Sequence, residues 1–348
     1  QDILRRLGFV CAEHLNELGY AVAYLRHAIQ YQPDDHESLA QLSRVLEKQA
    51  DWPSLAQILE RRAALSENGD EQKSLLMELG TIWSDRLGQH DAALRCFEST
   101  LDISPGDKIA LTQQEKILRV LKRWSPLVAN LIVQADVFDD ASERVRALHG
   151  LAELYCGQMN EPESGIATYL QILKLSAGDA VAYRALNKLL SDHKRWDDLA
   201  SLLRQQIIEA PDPAIKLELN RQLASILNEH LDRADDAVST WKSVLIADSS
   251  NEEALRALLK IYHERADWEE FVEVAHDLIP LSQPFEAKRV RFQLAQVLGE
   301  NLGQRQQSLK VIRDVRAQEP HAVDEIEALA MLALNIQAYE EATACFEL

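Results

Sequence analysis

Histidine, cysteine and carboxylate side chains are plentiful in this chain but badly grouped for chemistry. His149 and His263 lie in stretches with helical periodicity, while His90, His193 and His230 lie between such stretches. None has a second histidine three or four residues away, the spacing a helical metal pair needs. Cys11, Cys96, Cys156 and Cys345 form no C-x-x-C pair, and their separations suggest neither a zinc site nor a disulfide framework. Free, buried or half-buried thiols are the reading, which favours a reducing compartment. The acidic pairs Asp139–Asp140, Asp197–Asp198 and Glu269–Glu270 stand where helices should start, so the helix dipole accounts for them. Phosphate-binding glycine loops, G-x-S-x-G, H-E-x-x-H and EF-hand loops do not occur. No catalytic residue, metal or cofactor is expected, and the chain is read as non-enzymatic.

One charged pattern does stand out. Arg44, Lys116, Lys188 and Lys260 follow one another at intervals of 72 residues, and Arg184 and Arg256 precede the last two by four. Residues four apart share a helical face, so these six form a candidate row of cations. Such a row would attract carboxylates or an acidic peptide segment. The competing reading is a solvated face, in which Lys260 pairs with Glu264 and Lys188 with Asp192, each pair adding about 0.2–0.5 kcal/mol.

The interval itself points to the elements that carry this row. Trp52, Trp124, Trp196 and Trp268 repeat at the same step, and Leu55, Leu127, Leu199 and Phe271 follow them by three. Other ladders are Leu7, Leu79, Leu151, Leu223 and Ala295, then Leu25, Phe97, Tyr169 and Trp241, then Ala21, Ala93, Gly165 and Ala237. Within each repeat the apolar residues fall three and four apart, the mark of amphipathic helices. Leu, Ala, Glu, Gln and Arg dominate, and only 12 Gly and 10 Pro occur in 348 residues. A hydrophobic share of 47% excludes disorder. The net charge of −19 argues against nucleic acid and anionic membranes, and no apolar run is long enough to span a bilayer.

Each repeat holds two helical hairpins. At 76–107, Leu76, Leu79, Gly80 and Trp83 lie along one helix, Ala93 and Phe97 along the next, and Pro105 closes the hairpin. Leu4, Leu7, Gly8, Ala21, Leu25 and Pro33 repeat this arrangement, and Tyr183, Leu186, Leu190, Leu199, Leu203 and Pro211 mark the other hairpin type. The pattern resembles the tetratricopeptide repeat (TPR), in the style of long bacterial arrays. Small residues (Gly8, Gly80, Ala152 and Ala224, facing Ala21, Ala93, Gly165 and Ala237) should let helices approach closely. Gln114 and Glu115 depart from the pattern, standing where Leu and a small residue are expected. The tryptophans should start the second helix of every second hairpin, with Asp51 and Asp267 as caps, Pro53 and Pro126 in the first turn and Tyr339 as the last counterpart. Nucleic-acid stacking is disfavoured by flanks such as "DWEE".

The resemblance implies an all-α, right-handed α-α superhelix of about ten hairpins. It forms one TPR solenoid domain over 1–348, with double units at approximately 1–68, 69–140, 141–212, 213–284 and 285–348. It further implies a scaffold that binds a partner protein or peptide on its concave face, where first helices line the groove. Arg44, Lys116, Arg184, Lys188, Arg256 and Lys260 are the expected contacts. The other hairpins offer Phe9, Thr81, Glu153, Ser225 and Val297 at that position, so the row is interrupted, and the asparagine of a chaperone-tail carboxylate clamp is missing. Two further readings stand beside it: a regulatory or substrate-docking region of a larger kinase or transferase, and an element that associates end to end. The thiols favour a cytoplasmic setting, or a periplasmic one if a signal lies outside this sequence, which is read as part of a longer polypeptide.

Overall fold

The computed structural model describes residues 2–317 and 323–347. The chain divides into two compact units, Gln1–Ala185 and Leu186–Leu348, and each is taken by itself. The amino-terminal unit holds α1 (Asp2–Glu13), α2 (Leu18–Tyr31), α3 (His36–Lys48), α4 (Trp52–Leu65), α5 (Gly69–Thr81), α6 (His90–Ile103), α7 (Lys108–Val120), α8 (Trp124–Val137), α9 (Ala141–Gly157) and α10 (Pro162–Leu175). The division falls in α11 (Ala180–Asp192). The carboxy-terminal unit continues with α12 (Trp196–Glu209), α13 (Pro213–Glu229), α14 (Ala234–Ala247), α15 (Glu252–Arg265), α16 (Trp268–Leu278), α17 (Pro284–Gln296), α18 (Arg305–Arg316), α19 (Val323–Asn335) and α20 (Tyr339–Phe346). Among the described residues there is no strand, and the protein is an all-α array of helical hairpins. In each unit successive helices pack on one another, from α1 to α10 and from α12 to α20.

Residue chemistry sets the joints. In each repeat's leading hairpin the turn passes through one left-handed residue: Asn16, Gly88, Asn160, Asp232 and Gly303. Asn, Asp and Gly tolerate that conformation best. The first helix of each of these hairpins ends in a widened turn, with amide-to-carbonyl bonds from Glu17 to Cys11, Gln89 to Trp83, Glu161 to Tyr155, Arg233 to Leu227 and Gln304 to Leu298. In two of the five it closes a full π turn, Ile82–Arg86 and Val297–Asn301. The trailing hairpins turn through Ala50, Lys122, Lys194, Ala266 and Gln337, also at positive φ. There the next amide bonds back to the last helical turn (Asp51 to Leu46, Arg123 to Leu118, Arg195 to Leu190, Asp267 to Tyr262, Ala338 to Ala333), which is the Schellman arrangement.

The indoles follow directly. Trp52, Trp124, Trp196 and Trp268 are the first residues of α4, α8, α12 and α16, and Tyr339 is the first of α20. All four tryptophans are half-buried. Asp51 caps α4 through the Ser54 amide at 3.3 Å. Asp267 does not cap α16; its carboxylate is drawn 3.0 Å from Arg265 Nε instead.

The small-residue contacts lie at the centre of each hairpin. A Cβ on Gly80 would fall 2.7 Å from the Phe97 ring, and one on Gly8 2.7 Å from Leu25. Ala21, Ala93, Ala152, Ala224 and Ala237 are fully buried. Leu79, Leu151 and Leu223 are buried, whereas Leu7 on α1 is exposed. The fourth repeat is one residue short, between α16 and α17, so the fifth comes one residue early. Trp268 is answered by Tyr339, Asp232 by Gly303 and Asp212 by Gln283, each at 71 residues. Two sequence assignments change with that slip. Ala295 is the small residue of α17, taking the place of Ala224, and Leu294 is its large neighbour. Val297 is buried, and exposed Gln296 stands at the surface position expected for it.

Candidate interaction face

Within each unit the first helices are linked by side chains from one hairpin to the next. Arg5 Nη1 lies 2.6 Å from Glu37 on α3, and Lys48 Nζ of α3 reaches back 2.8 Å to Glu13. Lys73 meets Asp107 at 3.2 Å, Lys108 meets Glu143 at 2.6 Å, and His149 Nε2 meets Asp179 at 3.1 Å. In the carboxy-terminal unit Arg221 bonds Glu253, Arg256 bonds Glu286 at 2.7 Å and Lys288 bonds Glu325. These partners lie about one hairpin apart in sequence, so the charges match the stacking period. Exposed pairs of this kind contribute about 0–1 kcal/mol each, and register is their main effect.

The six cations picked out by spacing are all exposed on first helices. In the amino-terminal unit Arg44 contributes to holding the Glu13 carboxyl below its ordinary range, the larger pull being the hydrogen bond and charge of Lys48. Lys116 Nζ donates to Gln113 Oε1 at 3.5 Å. Among the described residues Arg44, Lys116, Arg184 and Lys188 make no ion pair within 4.0 Å, and the pairing of Lys188 with Asp192 does not form. Arg256 is heavily engaged, with Glu252 at 2.5 Å and Glu286 at 2.7 Å, and Glu286 above all raises its guanidinium pKa. Lys260 stands 3.9 Å from Glu264, with both side chains well exposed.

A cleft recurs beside these helices. In the amino-terminal unit it measures about 550 Å³, between α3, α4 and α5, with Trp52 and Leu55 at its base and Glu47, Glu78 and Arg86 on its walls. Two repeats on, a cleft of about 430 Å³ has Trp196, Leu199, Gln222 and His230 in the corresponding places. Desolvation, then the charge of Glu47, hold the Glu78 carboxyl above its ordinary range. The Arg86 guanidinium sits 4.9 Å over the Trp52 ring, and His230 stacks on Trp196 at 3.9 Å with planes 8° apart. Internal partners therefore occupy a face of each of these rings, which supports their structural role.

The remaining chemistry-bearing groups are held in structure. The His149–Asp179 pair belongs to the chain of links between first helices, and Asp179 also caps α11 through the Ala182 amide at 2.8 Å. Burial pushes the Cys96 thiol up to about 11, and raises Cys156 and Cys345 as well; such thiols are poor nucleophiles and metal ligands. Among the described residues no cluster of three or more His, Cys, Asp or Glu could hold a metal, and no helix is long and apolar enough to cross a membrane. The departure at Gln114 and Glu115 is a polar network between α7, α8 and α9. Buried Glu115 accepts from Arg119 at 3.0 Å and from Gln134 at 2.9 Å, and Asn130 donates to Gln114 at 2.7 Å and to the Leu111 carbonyl at 3.1 Å. Sequence reasoning registered the two residues as a weak repeat but not the partners they require.

No protein-family model matches the chain, and no curated protein matches it. Solved structures do. YrrB, described as a TPR protein with an unusual peptide-binding site, is 16% identical, with 52% of this chain and 89% of that one covered at a TM-score of 0.33. A tetratricopeptide repeat protein from Parabacteroides merdae is 17% identical over 73% of this chain and 96% of its own, with a TM-score of 0.34. MamA is 13% identical over 62% and 95%, with a TM-score of 0.31. The present chain's own packing, above all the Gly8–Leu25 and Gly80–Phe97 contacts and the ten joints, is that of stacked helical hairpins.

Proposed function

We propose that this chain, an array of tetratricopeptide type, is a non-enzymatic scaffold that holds a partner protein or peptide, by an acidic segment, against the surface of its first helices. The observation that supports this reading is the set of cations left without carboxylates. The chain carries 56 acidic against 37 basic Lys and Arg side chains, so nearby acids are abundant. Even so, Arg44, Lys116 and Arg184 in one unit and Lys188 in the other remain exposed and unpaired among the described residues. Lys260, weakly paired, extends the set in the carboxy-terminal unit, and Arg256 joins it only by exchanging an internal carboxylate for a partner's. A partner carboxylate brought to such a position gains a charge-assisted hydrogen bond and breaks no internal ion pair.

Charge reversal tests this. Lys188→Glu combined with Lys260→Glu should weaken binding of dye-labelled acidic peptides about tenfold, as read by fluorescence anisotropy, and flatten the dependence of affinity on NaCl. Affinity and salt slope both unchanged by the double variant would count against the proposal.

A further inference from the structure

In α17, as in α5, the link between first helices is carried one turn earlier, by Lys288 and Lys73. The position held by Arg5 in α1, His149 in α9 and Arg221 in α13 is apolar in both, Met77 in α5 and Phe292 in α17. Each of the former reaches an acid on the next first helix or at its cap (Glu37, Asp179, Glu253). Phe292 cannot do so. Beside it lies a hollow of about 310 Å³ whose walls include Phe285, Phe292, Val315, Ala328 and Leu329. Phe285 is 76% exposed, a large cost for an aromatic side chain that covers nothing. Its counterparts Asp70, Ser142 and Ala214 are small or polar.

The rim is basic. Lys288 lines the hollow and is engaged by Glu325. Arg289 lines it too, is exposed, and makes no ion pair within 4.0 Å among the described residues. The same Arg289 borders a second cleft of about 300 Å³ between α15 and α17, which Lys260 and His263 share over a floor of Phe271 and Val290. Arg289, with no ion pair among the described residues, thus stands between an apolar hollow and a cleft that holds Arg256 and Lys260 together with Glu286 and Glu264. A second copy of this chain is a poor occupant, because two bodies of charge −19 repel.

We propose that the α17 hollow docks a short segment of a partner protein in which a large apolar side chain enters between Phe285, Phe292 and Leu329 while a neighbouring carboxylate meets Arg289. This rests on the scaffold reading above and gives the partner segment its composition, acidic and apolar together. The bidentate geometry of Arg suits a carboxylate, and apolar burial supplies the rest of the affinity.

The probe is a fluorescein-labelled peptide, Glu-Glu-Trp-Leu-Glu-Glu, followed by anisotropy, with Trp-Leu replaced by Ser-Ser as a control. Phe292→Arg puts back the residue type found at Arg5 and Arg221, so it should fold; circular dichroism and the melting curve check this. The expected result is binding of the probe, no binding of the control, and a loss of about tenfold or more for Phe292→Arg and for Arg289→Glu. Probe affinity unchanged in folded Phe292→Arg overturns the proposal, as does failure of the intact protein to bind the probe. Sedimentation showing self-association that Phe292→Arg abolishes also overturns it, since the occupant would then be a second copy. Lys188→Glu separates the two readings: if it removes binding while Phe292→Arg does not, the scaffold face stands and the α17 hollow falls.

Discussion

Gly80 carries one of the close hairpin contacts. The Phe97 ring lies where its side chain would begin, and Phe97 is 1% exposed, so it has little room to retreat. A branched substituent must push the two helices apart. Gly80→Val should therefore cost about 1–3 kcal/mol, the range for overpacking a filled core. Gly157, near the end of α9, has nothing within 4 Å of the same point and no left-handed backbone. There Gly→Ala should raise stability by about 0.5–1 kcal/mol through backbone entropy alone. Urea midpoints for the two variants should move in opposite directions. A shift in the same direction would mean that Gly80 is present for flexibility, not for close approach.

The joints between helices show a division of labour. In the leading hairpins the left-handed residue is Asn, Asp or Gly, and in the trailing hairpins it is Ala, Lys or Gln. The second group is held there by the surrounding bonds: the Schellman amides and the aromatic residue that opens the next helix leave the joint one conformation. A non-glycine residue forced into this region costs about 1 kcal/mol, so Lys194→Gly should stabilise the protein by about 0.5–1 kcal/mol. Gly88→Ala, at the corresponding step of a leading hairpin, should destabilise it by about as much. Equilibrium unfolding by circular dichroism checks both. If Lys194→Gly destabilises, the lysine's own contacts outweigh its backbone strain.

Charge acts on the molecule as a whole. The links between first helices are exposed or half-buried and individually weak, whereas the net charge of −19 is carried by every folded copy. Self-repulsion should exceed what those links contribute, and added salt screens both. Raising NaCl from about 0.01 M to about 0.2 M should therefore raise the melting temperature, by about 2–4 °C. A fall over that range would show that the links carry more of the stability than their exposure suggests. The same ionic change should weaken capture of acidic peptides, so stability and binding are expected to respond to salt in opposite senses.

The helices, their hairpin pairing, the tryptophan positions and one of the two named caps (Asp51, not Asp267) were readable from residue types and intervals. These features depend on partners three, four or about 36 residues away, and in a stacked array each element meets only its neighbours, so periodicity carries the information. Three things escaped. The missing residue between α16 and α17 shifts the fifth repeat, so the roles that spacing assigned to Ala295 and Val297 fall to Leu294 and Gln296. The buried partner of Glu115 is Gln134 on the next helix, and no local pattern announces it. Whether a cation such as Arg256 meets an internal acid or solvent, and whether Phe292 leaves a hollow, depends on the distance between side chains of adjacent helices. That distance is set by packing and is not written along the chain.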